Sequence, residues 1–502
     1  MHTPISYGSK TDLFYPILLL ILLYLFILKF FKTRSQAKQP PLPPGPYSWP
    51  ILGNILQVGD KPHITLTKLS QTYGPLISLR LGNQPLVVGS SPEAATEILK
   101  AHDRILSGRF VPHVAVAKSL EHNNLSLGWV LECNNSSKLL RTLCRTELFS
   151  GRAIESQASL REKKVVEMVE FIRKMQGNVV NIRQVALATV FNMISNILVS
   201  RDLISLEDDS LKEAISGLMR NITDVVAAPN TSDFYPILAG LDLQRLRKKS
   251  TDLFNKASEI WEPIIKERRE VMSGDASSQQ DFLDALIKNG SSDLQINMLL
   301  LELLSAGTDT SSSTVEWTLA ELLKHPECIK KVEEELKKEI DQDVIKESHV
   351  PKLTFLQACV KETLRLHPPG PFLLPHRAVE SCEVMTYTIP KNCQVLINFW
   401  AIGRDPKIWE DPLVYKPERF LDSNLDFEGN DFEFIPFGVG RRICPGVPMA
   451  TKHVPLILAS LIHFFDWSLL YGRDPEDLDM TEKLAQTLCK EQPLLLITKA
   501  KI

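Results

Sequence analysis

Ten residues near the C-terminus, Phe437-Gly-Val-Gly-Arg-Arg-Ile-Cys-Pro-Gly446, constrain this chain more than any other stretch. They set one cysteine in a glycine-punctuated loop directly before an apolar run of helical character. Gly438 and Gly440 allow a tight turn against a bulky planar partner, and Arg441 and Arg442 bring positive charge towards the Cys444 sulfur. Such surroundings favour a thiolate. A thiolate in a fixed, partly shielded loop suits the axial position of an iron porphyrin, where it pushes electron density towards bound oxygen. The plain alternative for a lone cysteine is an inert, packed core residue.

Composition narrows the partners. A formal charge of -3 over 502 residues gives no basic excess, which argues against nucleic acid as the main partner. Eight cysteines with no C-x-x-C spacing fit neither a disulfide framework nor a zinc site; they fit reduced thiols in a cytosol-facing domain.

Read in order, the chain opens with an apolar run from Leu13 to Leu28, long enough to span a bilayer. Lys29, Lys32, Arg34 and Lys38 follow it, so the positive-inside rule puts the remainder in the cytosol. A cleavable signal peptide is the rival reading, and no small-residue cleavage site follows the run. Pro40-Pro-Leu-Pro-Pro-Gly-Pro46 reads as a stiff extended spacer or, as a bare motif, an SH3-type ligand. The expected organisation is a membrane anchor over 1–35, a proline-rich hinge over 36–50 and one body over 51–502. Matches to the N-glycosylation sequon, among them those at Asn135, Asn221, Asn230 and Asn289, are silent on a cytosolic body.

Within the body, Leu76 to Ser90 alternates and turns at Gly82-Asn83, which predicts a hairpin. Most other segments carry helical periodicity, so the fold class is mainly α with a small β-sheet region. A long helix is predicted from Asp293 to Lys324, entered through Ser291-Ser-Asp293 and stopped by Pro326. Ala306-Gly-Thr-Asp-Thr-Ser311 gathers poor helix formers in its middle, which predicts local loosening and a Thr hydroxyl turned to a ligand. A threonine bonded to its own i−4 carbonyl is the bland reading of the same residues.

Phe437, Gly440, Arg442, Cys444 and Gly446 match the signature Phe-x-x-Gly-x-Arg-x-Cys-x-Gly. With the other motifs in order, the chain resembles the haem-thiolate cytochrome P-450 monooxygenases over nearly its whole length. That resemblance implies a cytochrome P-450 fold preceded by an N-terminal transmembrane helix, and haem b with Cys444 as axial ligand of the iron. Phe437, Lys138, Arg141, His376, Arg377 and Arg442 are implied as further haem-binding residues. Asp309 and Thr310 take the acid–alcohol positions that deliver protons to bound oxygen, with Ala306 and Gly307 keeping the helix face low. Glu362, Arg365 and Arg419 match a buried Glu–Arg–Arg network that shapes the pocket. The substrate pocket is implied at Val111, Val114, Leu303, Ala306, Leu373, Leu374 and Leu484. One departure stands out: Ser137 occupies the place of a tryptophan that donates to a haem propionate, and Glu132 to Ser137 lacks the family's usual pattern.

By the same resemblance, electrons come from NADPH through NADPH–cytochrome P-450 reductase, with cytochrome b5 as a further donor and Arg441, Arg442, Lys138 and Arg145 as a basic docking patch. Localisation is the endoplasmic reticulum membrane. Arg145-Thr-Glu-Leu-Phe-Ser150 and Arg152-Ala-Ile-Glu-Ser-Gln157 resemble the plant alkaloid branch that contains N-methylcoclaurine 3'-hydroxylases and the littorine-rearranging mutase/monooxygenase. The implied function is oxidation of a lipophilic small molecule, an alkaloid such as littorine or N-methylcoclaurine. The alternatives are a terpenoid or phenolic oxidase, a haem isomerase working without dioxygen, and a haem- or ligand-binding protein without turnover.

Overall fold

The computed structural model describes residues 40–115, 120–207, 217–273 apart from 219 and 223, 281–340 and 344–501. The apolar run from Leu13 to Leu28 lies outside them. The predicted hairpin is present as β1 (Leu76–Leu81) and β2 (Gln84–Gly89), antiparallel with Leu79 opposite Leu86. Gly82 sits at its turn with φ 61°, where a side chain would be strained. Three more strands complete the sheet: β3 (Gly108–Arg109), β4 (His376–Arg377) and β5 (Gln394–Ile397), in the order β1-β2-β5-β4-β3. β2 and β5 run parallel, with Val87 facing Val395, so the sheet joins chain segments far apart in sequence.

The proline-rich stretch corrects an expectation. Instead of standing free as a spacer, it lies along the body: Pro44 O accepts from Ser78 N at 2.9 Å, and Thr388 donates to Pro40 O and Pro41 O. A Cβ on Gly45 would sit 1.9 Å from Ser78 O, so only glycine permits this contact.

Helices build the rest. Those that position the site are α1 (Asn135–Cys144), α2 (Ile182–Val199), α3 (Asp293–Lys324), α4 (Thr354–Leu366) and α5 (Val447–Phe464). α2 and α5 are apolar all round and long enough to cross a membrane, but their apolar windows are 78% and 61% buried, as expected of core helices. α3 is the axis against which α2, α4 and α5 pack. Ser292 caps it by accepting from Gln295 N, and Asp293 and Lys324 complement its dipole at either end.

The expected loosening of α3 is absent; the helix runs through 306–311 without a break. Its hydroxyls bond the preceding turn instead: Thr310 to Ala306 O at 2.7 Å, Thr314 to Thr310 O and Thr318 to Thr314 O at 2.8 Å. The carbonyls accept a second donor while the helix continues, the bland outcome for threonine. Gly307 also has another role than expected. A Cβ there would come 2.6 Å from Ile194 Cδ1, so the glycine lets α2 and α3 approach closely.

Candidate active site

The cysteine loop closes on itself: Cys444 N donates to Phe437 O at 2.9 Å. Gly438 and Gly440 both adopt φ 68°, and a Cβ on Gly440 would meet Leu99 O at 2.9 Å. Phe437 stands edge-on to Phe427 at 5.2 Å, which braces the start of the loop. Cys444 is exposed by surface area yet enclosed by protein, as for a sulfur facing an internal cavity. Burial pushes its thiol up; the Gly446 amide, Arg141 and the Val447 amide pull the other way. The two amides open α5, so the helix N-terminus points at the sulfur and favours its anion.

The positive charge near the sulfur has a different source from the one expected. Arg441 turns to Asp103 at 2.8 Å, and Arg442 turns to the carbonyls of Ser107 and Val130. Arg141 of α1 fills the role, reaching Ile443 O at 2.7 Å.

Three guanidinium groups and an imidazole converge beside this loop. Arg109 of β3 donates to Gly128 O and Leu374 O, and its register partner His376 bonds Leu106 O at 2.7 Å. Burial first, then Arg442 and Arg141, hold Arg109 well below its usual range; burial, then Arg109, brings His376 down to about 3. Burial likewise lowers Arg141 and Arg442. No carboxylate among the described residues lies within ion-pair distance of these three arginines. Arg377 pairs with Glu132 at 3.0 Å and Asn392 at 2.7 Å, yet its Nε is buried without a partner. Buried cations that lower one another and find no counter-charge fit an anionic group such as a pair of haem propionates. The residues present therefore fit haem.

Arg109 was not among the expected haem residues, because a lone arginine in a two-residue strand has no local signal. Lys138 is exposed on α1, where it lines a cavity together with Ser107, Cys133 and Arg441. Ser137 serves the backbone instead: with Asn134 it forms a reciprocal cap at the start of α1, Ser137 N to Asn134 Oδ1 at 2.9 Å and Asn134 N to Ser137 Oγ at 3.0 Å. That cap accounts for the departing segment before the helix.

On α3, Leu303 and Thr310 are partly buried and Ala306 is exposed amid a largely buried helix. Asp309 is fully engaged: Oδ1 pairs with Arg183 Nη2 of α2 at 2.7 Å, and Oδ2 accepts from Thr487 Oγ1 at 2.5 Å. One turn earlier than Ala306, Glu302 accepts from Ser126 Oγ and from Leu127 N at 2.7 Å, tying α3 to the loop whose carbonyls hold Arg109 and Arg442.

Glu362 and Arg365 of α4 are completely buried and bonded twice, both at 2.7 Å. Arg419 reaches Glu362 Oε1 at 3.0 Å, and Arg365 and Arg419 both lie over Trp409. Of the expected pocket residues, Val111 packs with Phe254 and Met298, and Val114 with Val225 and Leu253, as ordinary core. Leu373 adopts φ 55° in a turn closed on Gly370 O, and Leu374 is exposed. Leu484 ends β6 (Glu482–Leu484), hairpin partner of β7 (Leu488–Lys490).

A sequence profile of the family described as Cytochrome P450 matches residues 43–497. A probable (S)-N-methylcoclaurine 3'-hydroxylase isozyme 2 from Coptis japonica is 48% identical over 96% of this chain and 98% of its own length. The (S)-N-methylcoclaurine 3'-hydroxylase isozyme 1 of Papaver somniferum is 46% identical over 96% and 100%. Corytuberine synthase of Coptis japonica is 45% identical over 96% and 97%.

Proposed function

From the premise that this chain belongs to the cytochrome P450 family, we propose that it hydroxylates a benzylisoquinoline alkaloid of the N-methylcoclaurine type. It is a haem-dependent monooxygenase that draws electrons from NADPH through a reductase. The names of its relatives carry the substrate reading. Littorine, terpenoid or phenolic substrates, isomerase chemistry without dioxygen and a haem-binding role without turnover are set aside, since none of these three relatives points to them.

Haem, when bound, supplies oxygen activation and transfer of one oxygen atom to substrate. Cys444 would ligate its iron; burial raises its thiol, and the α5 amides and Arg141 act against that rise. Arg109, Arg141, His376, Arg377 and Arg442 would hold the propionates, and Phe437 would brace the ligand loop. Ala306 and Leu303 would line the substrate side. Thr310 would offer its hydroxyl to a proton path, and Asp309 would bring protons from the α2 side once a carboxylate oxygen is freed. The Glu362–Arg365–Arg419 network has no part in a chemical step; it fixes α4 against the segment from Gly403 to Arg419.

Placement on the endoplasmic reticulum membrane rests on an exposed apolar face as well as on the run from Leu13 to Leu28. Tyr47, Trp49, Ile51 and Leu56 stand exposed beside Ile237 and Leu241, and Tyr235 Oη joins the two segments by donating to Ile51 O at 3.3 Å. A patch of this kind next to the chain's first described residues suits a lipid surface, with the body cytosolic. Reductase, and cytochrome b5 as a second donor, would dock on the α1 face around Lys138, Leu139 and Arg145.

The test is reconstitution of the full-length protein with a plant reductase, NADPH and (S)-N-methylcoclaurine, read by mass spectrometry for a product one oxygen heavier. Reduction under carbon monoxide must give the red-shifted Soret band of thiolate ligation, and Cys444→Ser must abolish it. A sample with that band but no product refutes the substrate; a haem-loaded sample without the band refutes the ligand.

A further inference from the structure

A buried set of titratable groups takes no part in the chemistry proposed above. His367, the residue that ends α4, stacks on Trp317 of α3 with ring centres 3.9 Å apart and planes 2° from parallel. Its Nε2 lies 2.7 Å from Glu321 Oε1 of α3, and its Nδ1 lies 2.8 Å from Oε1 of Glu482, the first residue of β6. A carboxylate only accepts, whereas a neutral imidazole has one donor nitrogen and one acceptor. Both bonds therefore need a hydrogen on each ring nitrogen. Burial acts to lower this imidazole, but the bonds to Glu321 and Glu482 outweigh it and leave His367 above the ordinary 6.5. For Glu321 burial acts upward, and His325 and His367 more than offset it, bringing the carboxyl down to about 2.

Other charged and polar groups face the same point from each neighbouring element. His325 shares Glu321, Nδ1 to Oε2 at 3.4 Å, and Lys490 of β7 stands 4.9 Å over the Trp317 ring. Arg404 reaches Glu482 Oε1 at 3.3 Å, Trp400 donates to Glu482 Oε2 at 3.1 Å, and His63 Nε2 lies 3.5 Å from that same oxygen.

The hairpin of β6 and β7 starts from this cluster. Leu484 follows Glu482 by two residues, on the same face of the strand and about 7 Å along it. At the tip Thr487 Oγ1 donates to Asp309, one helical turn from the exposed Ala306. Leu488 N donates at 2.9 Å to the carbonyl of Pro369, two residues beyond His367. The returning strand is fixed to α3 by Ser313 Oγ, which donates to Leu488 O at 3.1 Å, and by Leu494 N, which donates to Glu316 Oε1 at 2.8 Å. The outgoing strand, β6, is tied to α3 through Glu482, His367 and Glu321.

We propose that His367 is an imidazolium clamp between Glu321 and Glu482 that sets how far the hairpin tip at Leu484–Thr487 reaches into the pocket, and so how well the pocket holds a bulky ligand. His367 acts through the hairpin and is a positioning residue. The inference rests on the reading that substrate lies against Ala306 of α3, and it is independent of which alkaloid that substrate is.

The tests use the full-length, haem-loaded protein and need no turnover. In His367→Gln the side-chain amide donates to one carboxylate and turns its carbonyl oxygen to the other. Hydrogen exchange in peptides covering 482–490 should quicken by about tenfold, while the β1–β2 hairpin keeps its rate. The probe ligand is 4-phenylimidazole, whose nitrogen takes the iron and whose phenyl ring occupies the pocket whatever the natural substrate. Its dissociation constant should rise by about tenfold, and that of imidazole, too small to reach the hairpin, should stay within about twofold. Glu482→Gln should reproduce both effects, and the double variant should be no worse than either single one, because all three break one clamp. Glu482→Gln also carries the test if His367→Gln fails to hold haem. A raised folded-state value adds a pH signature: the urea-midpoint advantage of the parent over His367→Gln should be full below pH 6.5 and shrink as pH rises above it. An advantage that stays flat across that range means a neutral ring and overturns the clamp, and so does parental exchange over 482–490 in both variants. Faster exchange with parental 4-phenylimidazole binding overturns the control of the pocket and, with it, the placement of substrate beside the tip.

Discussion

Glu362→Gln is the substitution whose cost the structure defines best. The carboxylate receives two bonds from Arg365 at 2.7 Å, one from Arg419 at 3.0 Å and one from Lys416 N at 2.9 Å. Glutamine keeps the volume but removes the charge, and it turns an NH2 group towards a guanidinium, donor against donor. Arg365, wholly buried, is then left as an uncompensated cation, which costs about 3–5 kcal/mol. For a chain of this length the unfolding entropy is on the order of 1 kcal/mol per degree, so the melting midpoint should fall by about 3–5 °C. Arg419→Gln, which removes a partly exposed partner with one longer bond, should cost roughly half as much. The assay is thermal unfolding of the ferric protein by circular dichroism, with haem content measured in parallel. A midpoint within about 1 °C of the parent would show that Arg365 is neutralised by the carbonyls of Gly403, Pro412 and Val414, and the reasoning would fail.

Thr310→Ala should retain haem but uncouple NADPH use from product; unchanged coupling removes Thr310 from the proton path. Arg109→Gln should speed loss of haem to an apomyoglobin acceptor by about tenfold, the effect of one lost charge-assisted bond, and an unchanged rate would mean that Arg109 holds only the backbone. His453 is buried, bonded to Ser311 through Nε2, and held by burial and then Arg161 at about 3 against an ordinary 6.5. Its neutral form therefore favours the fold fully above pH 6.5, and the contribution falls as pH drops towards 3. Urea unfolding should show a loss of about 2 kcal/mol between pH 7 and pH 5 that His453→Gln lacks; identical pH slopes would contradict it.

Local spacing carried what was legible. The cysteine loop, the Glu362–Arg365 pair and the span of α3 each lie within one short stretch, and each is found where the residues suggested. The details that differ are long-range. Nothing near Gly307 announces Ile194, and nothing near Ser137 announces that its hydroxyl closes a helix cap. Arg109, Arg183 and Glu316 gain meaning only through partners on other elements, and an isolated arginine or glutamate in a helix reads as solvated surface. The proline-rich stretch misled for the same reason: its stiffness is local, but its acceptors meet Ser78 and Thr388.

The pairing of Val87 with Val395 has a consequence for how the chain is made. The hairpin of β1 and β2 leaves the ribosome early, while the strand that covers its inner edge is translated later by on the order of half a minute at cellular elongation rates. Throughout that interval β2 presents unpaired amides and carbonyls beside Leu86, Val87 and Val88, a template for sticking to other nascent chains. Production in a fast-translating host should therefore yield more aggregate than in a slow one, and cooling or a chaperone that shields strand edges should recover more of the folded protein.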